Sequence, residues 1–214
     1  MISRRLMLKH SAGLLAAGGL TPVLGSSAFA QSSSVDVEEL MVAGPMGEKT
    51  LGEANAPVTV IEYASMTCGH CANFHNNTYK PFKEKYVDNG QVLFIFREFP
   101  LDPVAMAVAM LARCAPEGTY FEVVDAFFER QREWAGAENV VAELQKMALQ
   151  LGFTQETFKE CLTNQEVLDG VNWVRKRAAE EFQVASTPTF FINGSRQTGS
   201  LTIEQMDAVI EPLL

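Results

Sequence analysis

The stretch VTVIEYASMTCGHCANFH, Val58 to His75, changes character midway. Its first six residues are mostly β-branched and apolar and follow Pro57, so they read as a buried strand. After Cys68 the large side chains Phe74, Tyr79, Phe82 and Tyr86 recur at helical spacing, and Asn89-Gly90 supplies a stop. Pro81 inside that run predicts a kinked or divided helix. Cys68 and Cys71 therefore fall where a strand hands over to a helix.

Two cysteines in a C-x-x-C pair have three uses. A zinc site wants about four ligands; Cys68, Cys71 and His75 offer three, and no second closely spaced pair exists. A structural bond between Cys68 and Cys71 would close a loop too small to restrict the unfolded chain much. Redox chemistry fits the placement better. First-turn N–H groups and the helix dipole favour a thiolate at Cys68. Cys71, one turn on, is the more covered sulfur, suited to resolving a mixed disulfide. His70, between them, adds a donor that can stabilise the Cys68 thiolate, and a full charge when protonated. His75 reads as a surface residue on the exposed side of the helix.

Outward from this stretch, QVLFIFREF (Gln91–Phe99) is a second buried strand ended by Pro100. The next eighty residues are helical in pattern. PVAMAVAMLARC (Pro103–Cys114) is apolar nearly all round, a buried helix too short to span a bilayer. Phe121, Val124, Phe127 and Phe128 mark one face of the next helix, and Val167, Val171, Val174, Ala178 and Phe182 a stripe on a later one. Strand signals return at TPTFFINGSRQTG (Thr187–Gly199), where Asn193-Gly194 is a hairpin signal. Thr202 caps a last amphipathic helix. The layout is an α/β domain split by a helical block.

The first thirty residues read as an address. SRRLMLK (Ser3–Lys9) is basic, an interrupted apolar segment follows, and Ala28 and Ala30 suit signal peptidase, with cleavage expected after Ala30. The segment resembles a twin-arginine signal, with an ordinary Sec signal as the alternative. Residues 31 to 37 read as a polar lead-in. The formal net charge of −9, from 26 acidic and 17 basic residues, becomes more negative once the basic leader is removed and argues against a nucleic-acid partner. All four cysteines lie beyond the leader, and an even count in an exported chain favours disulfides.

A strand ending in EYAS, CGHC opening a helix, a helical insertion and then STPTFFING together resemble the DsbA-type thiol–disulfide oxidoreductases of the thioredoxin fold, from about Ala56 to the end. The resemblance implies a thioredoxin-like domain in two parts (31–100 and 184–214) around an inserted helical domain (101–183). It makes Cys68 the nucleophile, Cys71 the resolving thiol and Thr187-Pro188 a cis peptide beside them that pairs with extended substrate. It makes Glu62 a buried carboxylate beneath Cys71, its pKa raised by desolvation, relaying a proton; exposure on a half-solvated strand is the plainer alternative. Cys114 and Cys161 resemble the second disulfide some relatives carry.

The activity implied is a periplasmic dithiol oxidase needing no cofactor. Its expected partners are unfolded exported proteins and a reoxidising, DsbB-like membrane protein, and a monomer is expected. The expected Cys68 pKa lies between about 4 and 6, with a potential nearer the roughly −120 to −180 mV end of the scale than thioredoxin's roughly −270 mV. An isomerase or reductase kept reduced by a membrane partner is the second reading, since Thr187 stands where several oxidases have valine. A redox-inactive holdase is the third.

Overall fold

The computed structural model describes residues 34–214, so the leader motif with Arg4, Arg5 and Ala30 lies outside the described residues. Ahead of Val58 come a four-residue helix α1 (Val37–Leu40), capped by Asp36, and a short strand β1 (Lys49–Leu51). The apolar runs form β2 (Val58–Ala64) and β3 (Val92–Glu98), paired in parallel with Val60 opposite Phe94 and Glu62 opposite Phe96. After the insertion, β4 (Thr189–Ile192) returns antiparallel to β2, and a hairpin leads into β5 (Ser195–Thr198). Asn193 and Gly194 at its tip have φ of 43° and 82°, the left-handed pair that a two-residue hairpin needs. The sheet order is β1-β3-β2-β4-β5.

Both faces of the sheet are covered, which explains why β2 and β3 read as nearly continuous apolar runs. Alternation divides their side chains. Val58, Val60, Phe94 and Phe96 join the core under the active-site helix and the insertion, whereas Ile61, Tyr63, Leu93 and Ile95 pack on the opposite face with Phe182. Glu62 shares its parity with Val60, so it points to the active-site side.

The helix after Cys68 is continuous but uneven. α2 (Gly69–Phe74) passes into a π-helical turn at His75–Tyr79, then α3 (Lys80–Phe82), then a second π turn at Lys83–Val87. Pro81 cannot donate to a carbonyl one turn back, and its ring crowds that carbonyl. Widened turns on either side accommodate it without a break.

Between β3 and β4 lie α4 (Pro103–Arg113), α5 (Tyr120–Glu129), α6 (Gln131–Trp134), α7 (Val140–Gln150), α8 (Gln155–Leu162) and α9 (Gln165–Glu180). The fold is thus a thioredoxin-like α/β domain with a helical insertion, closed by α10 (Ile203–Ile210).

Two buried charge networks flank β3. Arg113 on α4 donates to Glu98 (Nη2–Oε2 2.7 Å), and the Tyr120 hydroxyl on α5 donates to the same carboxylate at 2.6 Å. Arg97, facing the other way, donates to Tyr63 Oη at 2.6 Å and to Glu48. These groups tie the insertion and the N-terminal segment to the sheet.

Candidate active site

β2 ends at Ala64, and residues 65–67 form a tight connection into α2. The Cys68 N–H donates to the Ser65 carbonyl (3.0 Å), and Thr67 Oγ1 donates to Asp102, the cap of α4 (2.5 Å). Gln131 on α6 is buried and donates from one amide to two carbonyls, Met66 at 2.7 Å and Cys68 at 3.0 Å. The insertion thereby pins the loop that presents the nucleophile. Sequence reasoning missed Gln131: one polar residue in a helical block carries no local signal of a partner 63 residues away.

Cys68 occupies the N-cap position of α2, with an extended backbone (φ −77°, ψ 121°) and no side-chain cap. Its sulfur is partly exposed, whereas Cys71 is buried, and both are thiols. The Thr187-Pro188 peptide is cis, and the Thr187 carbonyl accepts from the Cys68 thiol at 3.3 Å. The Thr187 hydroxyl is buried with no other partner, so it can turn toward the sulfur and donate once Cys68 ionises.

The two sulfurs titrate in opposite directions. The Cys71 S–H, donating to Cys68, is the largest influence on that residue; partial burial opposes it, and Thr187 and the main-chain N–H groups of Cys71 and His70 add to it. The result is a Cys68 pKa of about 5. Burial pushes the Cys71 thiol well up, and the hydrogen bond it gives Cys68 and the charge on Glu62 act in the same direction. A thiolate that forms readily stands beside a thiol that stays protonated, an arrangement competent for thiol–disulfide exchange.

His70 contributes differently from expectation. Its side chain is exposed and makes no hydrogen bond among the described residues; its main-chain N–H is what reaches Cys68. The imidazole projects into solvent because the first turn of α2 is uncovered on that side.

Glu62 is fully buried, as the resemblance implied. Its partner corrects the sequence reading. His75, expected on the exposed side of the helix, is buried, and its Nε2 lies 3.1 Å from Glu62 Oε2. The physical reason is spacing: His75 is four residues after Cys71 and shares its inward face. The ring stacks on Phe128 of α5 (centroids 4.2 Å apart), and its Nδ1 lies 3.6 Å from Asp125 Oδ1. Burial by itself would lower the His75 pKa, but the Glu62 charge and the contacts with Asp125 and Glu62 raise it to about 9. The residue a zinc site would borrow is thus engaged with carboxylates.

Away from this centre, Cys114 at the end of α4 and Cys161 in α8 form a disulfide across a separation of 47 residues. Among the described residues no helix is long and apolar enough to cross a membrane.

A sheet with a parallel β2–β3 pair, a C-x-x-C dithiol at a helix N-terminus and a cis-proline peptide against the first sulfur define the thioredoxin class. Comparison with known proteins narrows it. Residues 46–212 match the family model described as thioredoxin. A Rickettsia conorii protein named as a protein-disulfide oxidoreductase is 30% identical over 172 residues, covering 78% of this chain and 60% of its own length. A Rickettsia bellii protein of the same description is 31% identical, over 77% of this chain and 63% of its own length. The chain therefore spans less than two thirds of these curated relatives. The crystal structure of Wolbachia pipientis alpha-DsbA1 is 32% identical, with a TM-score of 0.76 over 83% of this chain and 96% of that one. The chain belongs to the DsbA-type family of thioredoxin-fold proteins.

Proposed function

We propose that this protein is a thiol–disulfide oxidoreductase that works as a dithiol oxidase on exported proteins. The observation that carries the reading is the split between the sulfurs: Cys68 is held near 5 while Cys71 is held well above its ordinary range. Stabilising the Cys68 thiolate favours the reduced state, which makes the disulfide a better oxidant and Cys68 a better leaving group.

In the forward reaction a substrate thiolate attacks Cys68 Sγ of the Cys68–Cys71 disulfide. The S–S bond breaks, its electron pair leaves on Cys71 Sγ, and that sulfur takes a proton. A second substrate thiolate then attacks the substrate sulfur of the mixed disulfide and expels Cys68 as a thiolate. The substrate gains one disulfide and loses two electrons; the enzyme holds them as a dithiol. The cis peptide at Thr187-Pro188 presents main-chain groups beside Cys68, suited to an extended substrate segment. The burial of Glu62, and its contact with His75 one helical turn beyond Cys71, support a role as proton relay for Cys71.

Export to the periplasm with cleavage after Ala30 rests on the leader motif, and the Cys114–Cys161 bond suits an oxidising compartment. A membrane partner that accepts the two electrons, DsbB-like, completes the cycle, and the protein acts as a monomer. Thiol trapping of Cys68 and Cys71 in the intact cell is the test. An oxidised pair, together with disulfide formation in a reduced unfolded substrate by purified protein, supports the oxidase. A pair found reduced, with reshuffling of wrongly bonded substrate, replaces it with the isomerase. Full activity of Cys68→Ser in aggregation suppression, with no redox turnover in wild type, replaces it with the binding module.

A further inference from the structure

Burying Glu62 and Cys71 under a helix creates a delivery problem. Each time the active-site disulfide opens, Cys71 Sγ receives an electron pair in a region sealed from water, and it must receive a proton as well. Glu62 sits beside it but is itself fully buried, with Oε1 unpartnered and Oε2 turned to His75 Nε2 at 3.1 Å. Cys71 and His75 stand one helical turn apart on the same face, so a carboxylate bonded to the second lies next to the first.

From His75 the path continues outward. Nδ1 has no hydrogen-bond partner within the usual limit; Asp125 Oδ1, also without one, lies 3.6 Å away. The Asp125 side chain is 49% exposed. The His75 ring, Nδ1 and Asp125 Oδ1 are themselves covered, and beside them a cavity of about 450 Å³, lined in part by His75, Tyr79, Lys83 and Asp125, opens to solvent. The imidazole is held in place by Phe128 stacked on one side and Tyr79 tilted at 4.8 Å. One ring nitrogen therefore faces the buried carboxylate while the other faces an acid at the wall of a water-accessible cavity.

We propose that His75 and Asp125 are the outer half of a proton path that connects Cys71, through Glu62, to solvent. The proposal rests on the exchange reaction above and deepens it. When Cys71 leaves, the imidazolium gives its Nε2 proton to the Glu62 carboxylate, Glu62 hands a proton on to Cys71 Sγ and ends as the carboxylate it began, and the neutral ring, with Nδ1 turned to the Asp125 carboxylate, regains a proton from water. In the reverse direction the same atoms carry the proton out as Cys71 becomes a nucleophile. His75 and Asp125 touch neither sulfur; they act through Glu62, as positioning and relay residues. The charged and titratable groups facing His75 are Glu62 from β2, Asp125 and Glu129 from α5, and Tyr79, Lys80 and Lys83 from its own helix. The elevated His75 pKa fits this role, because the ring arrives protonated at neutral pH.

The test is the stopped-flow rate at which a model peptide dithiol reduces the disulfide form, measured against pH in wild type, Asp125→Asn and His75→Gln. Asp125→Asn alters a half-exposed side chain, so it remains informative where the buried variant fails to fold. On the proposal, Asp125→Asn slows exchange by on the order of tenfold at neutral pH. It also displaces the pH profile and makes the rate depend on buffer concentration, small acids entering through the cavity, while the Cys68 thiolate titration stays at its wild-type value. Wild-type rates and an unchanged profile in Asp125→Asn overturn the path. A shifted Cys68 titration in that variant also overturns it, by showing an effect on the nucleophile. Failure of wild type to exchange with the peptide overturns the oxidoreductase reading itself, which separates the two.

Discussion

Replacing Cys71 with alanine asks what holds the Cys68 thiolate. The Cys71 S–H is the largest influence at that sulfur, ahead of burial, the Thr187 contact and the main-chain N–H groups of α2. Alanine deletes the first and leaves the others. A hydrogen bond to a charged acceptor is worth about 1.5–3 kcal/mol, and one pKa unit is about 1.36 kcal/mol. Deleting it should raise the Cys68 pKa by about one to two units. The lower end is favoured because Cys68 is half-exposed and water can replace part of what is lost. Cys71→Ser keeps a donor and should titrate at or below the wild-type value of about 5. His70→Ala keeps the main-chain N–H and should move the titration less than Cys71→Ala. Ultraviolet absorbance of the thiolate in reduced protein reads all three. A Cys71→Ala protein that still titrates near 5 would refute this reasoning and assign the depression to the helix terminus alone.

The same figures bound the potential. The Cys68 pKa is depressed, so the stabilisation of the reduced form is complete above the ordinary cysteine value and is lost as pH falls through about 5. At pH 7 it amounts to about two decades, or about 2.7 kcal/mol before screening. A thioredoxin-like thiol titrating near 7 already has about 0.4 kcal/mol of this, so the difference is at most about 2.3 kcal/mol, or about 50 mV for two electrons. Starting from about −270 mV, thiolate stabilisation alone reaches about −220 mV. A measured value in the expected range of roughly −120 to −180 mV would need a further contribution that separates the two redox states.

Three other outcomes are expected. Replacing Cys114 and Cys161 with alanine should lower the unfolding free energy by about 4 kcal/mol by the loop-closure relation, leaving the Cys68 titration in place; an unchanged urea midpoint would count against the bond as a brace. Arg113→Ala strands the buried Glu98 carboxylate and should cost about 3–5 kcal/mol in the same assay, whereas a loss below about 1 kcal/mol would show that water or Tyr120 suffices. Because the folded His75 pKa of about 9 exceeds its unfolded value, its contribution is full below about pH 6.5 and is lost as pH rises through 9; the disulfide form, in which Cys68 does not titrate, should lose stability over that window, and His75→Gln should not.

Much of this molecule is legible in its sequence because the signals are local. The β-branched run before Cys68, the Asn193-Gly194 turn and the capped final helix each announce themselves within ten residues, and each is found where it is read. β1 is not legible: three residues of mixed burial at a sheet edge carry no period. The active site divides the same way. The dithiol and its helix are a local pattern, but Gln131 and Asp125 reach the site from the insertion, and nothing adjacent to them marks it. His75 is the instructive case, because the signal was present. Glu62 shares its strand face with Val60, so that face must be covered. A carboxylate buried there without a partner would cost several kcal/mol. The covering element is the helix after Cys68, and beyond the leader the chain has only two histidines, both in that helix. His70 is one residue before the buried Cys71, whereas His75 is four residues after it and returns to the same face. A buried acid in a two-sided strand therefore demanded a cation from the covering helix, and helical periodicity already selected which one.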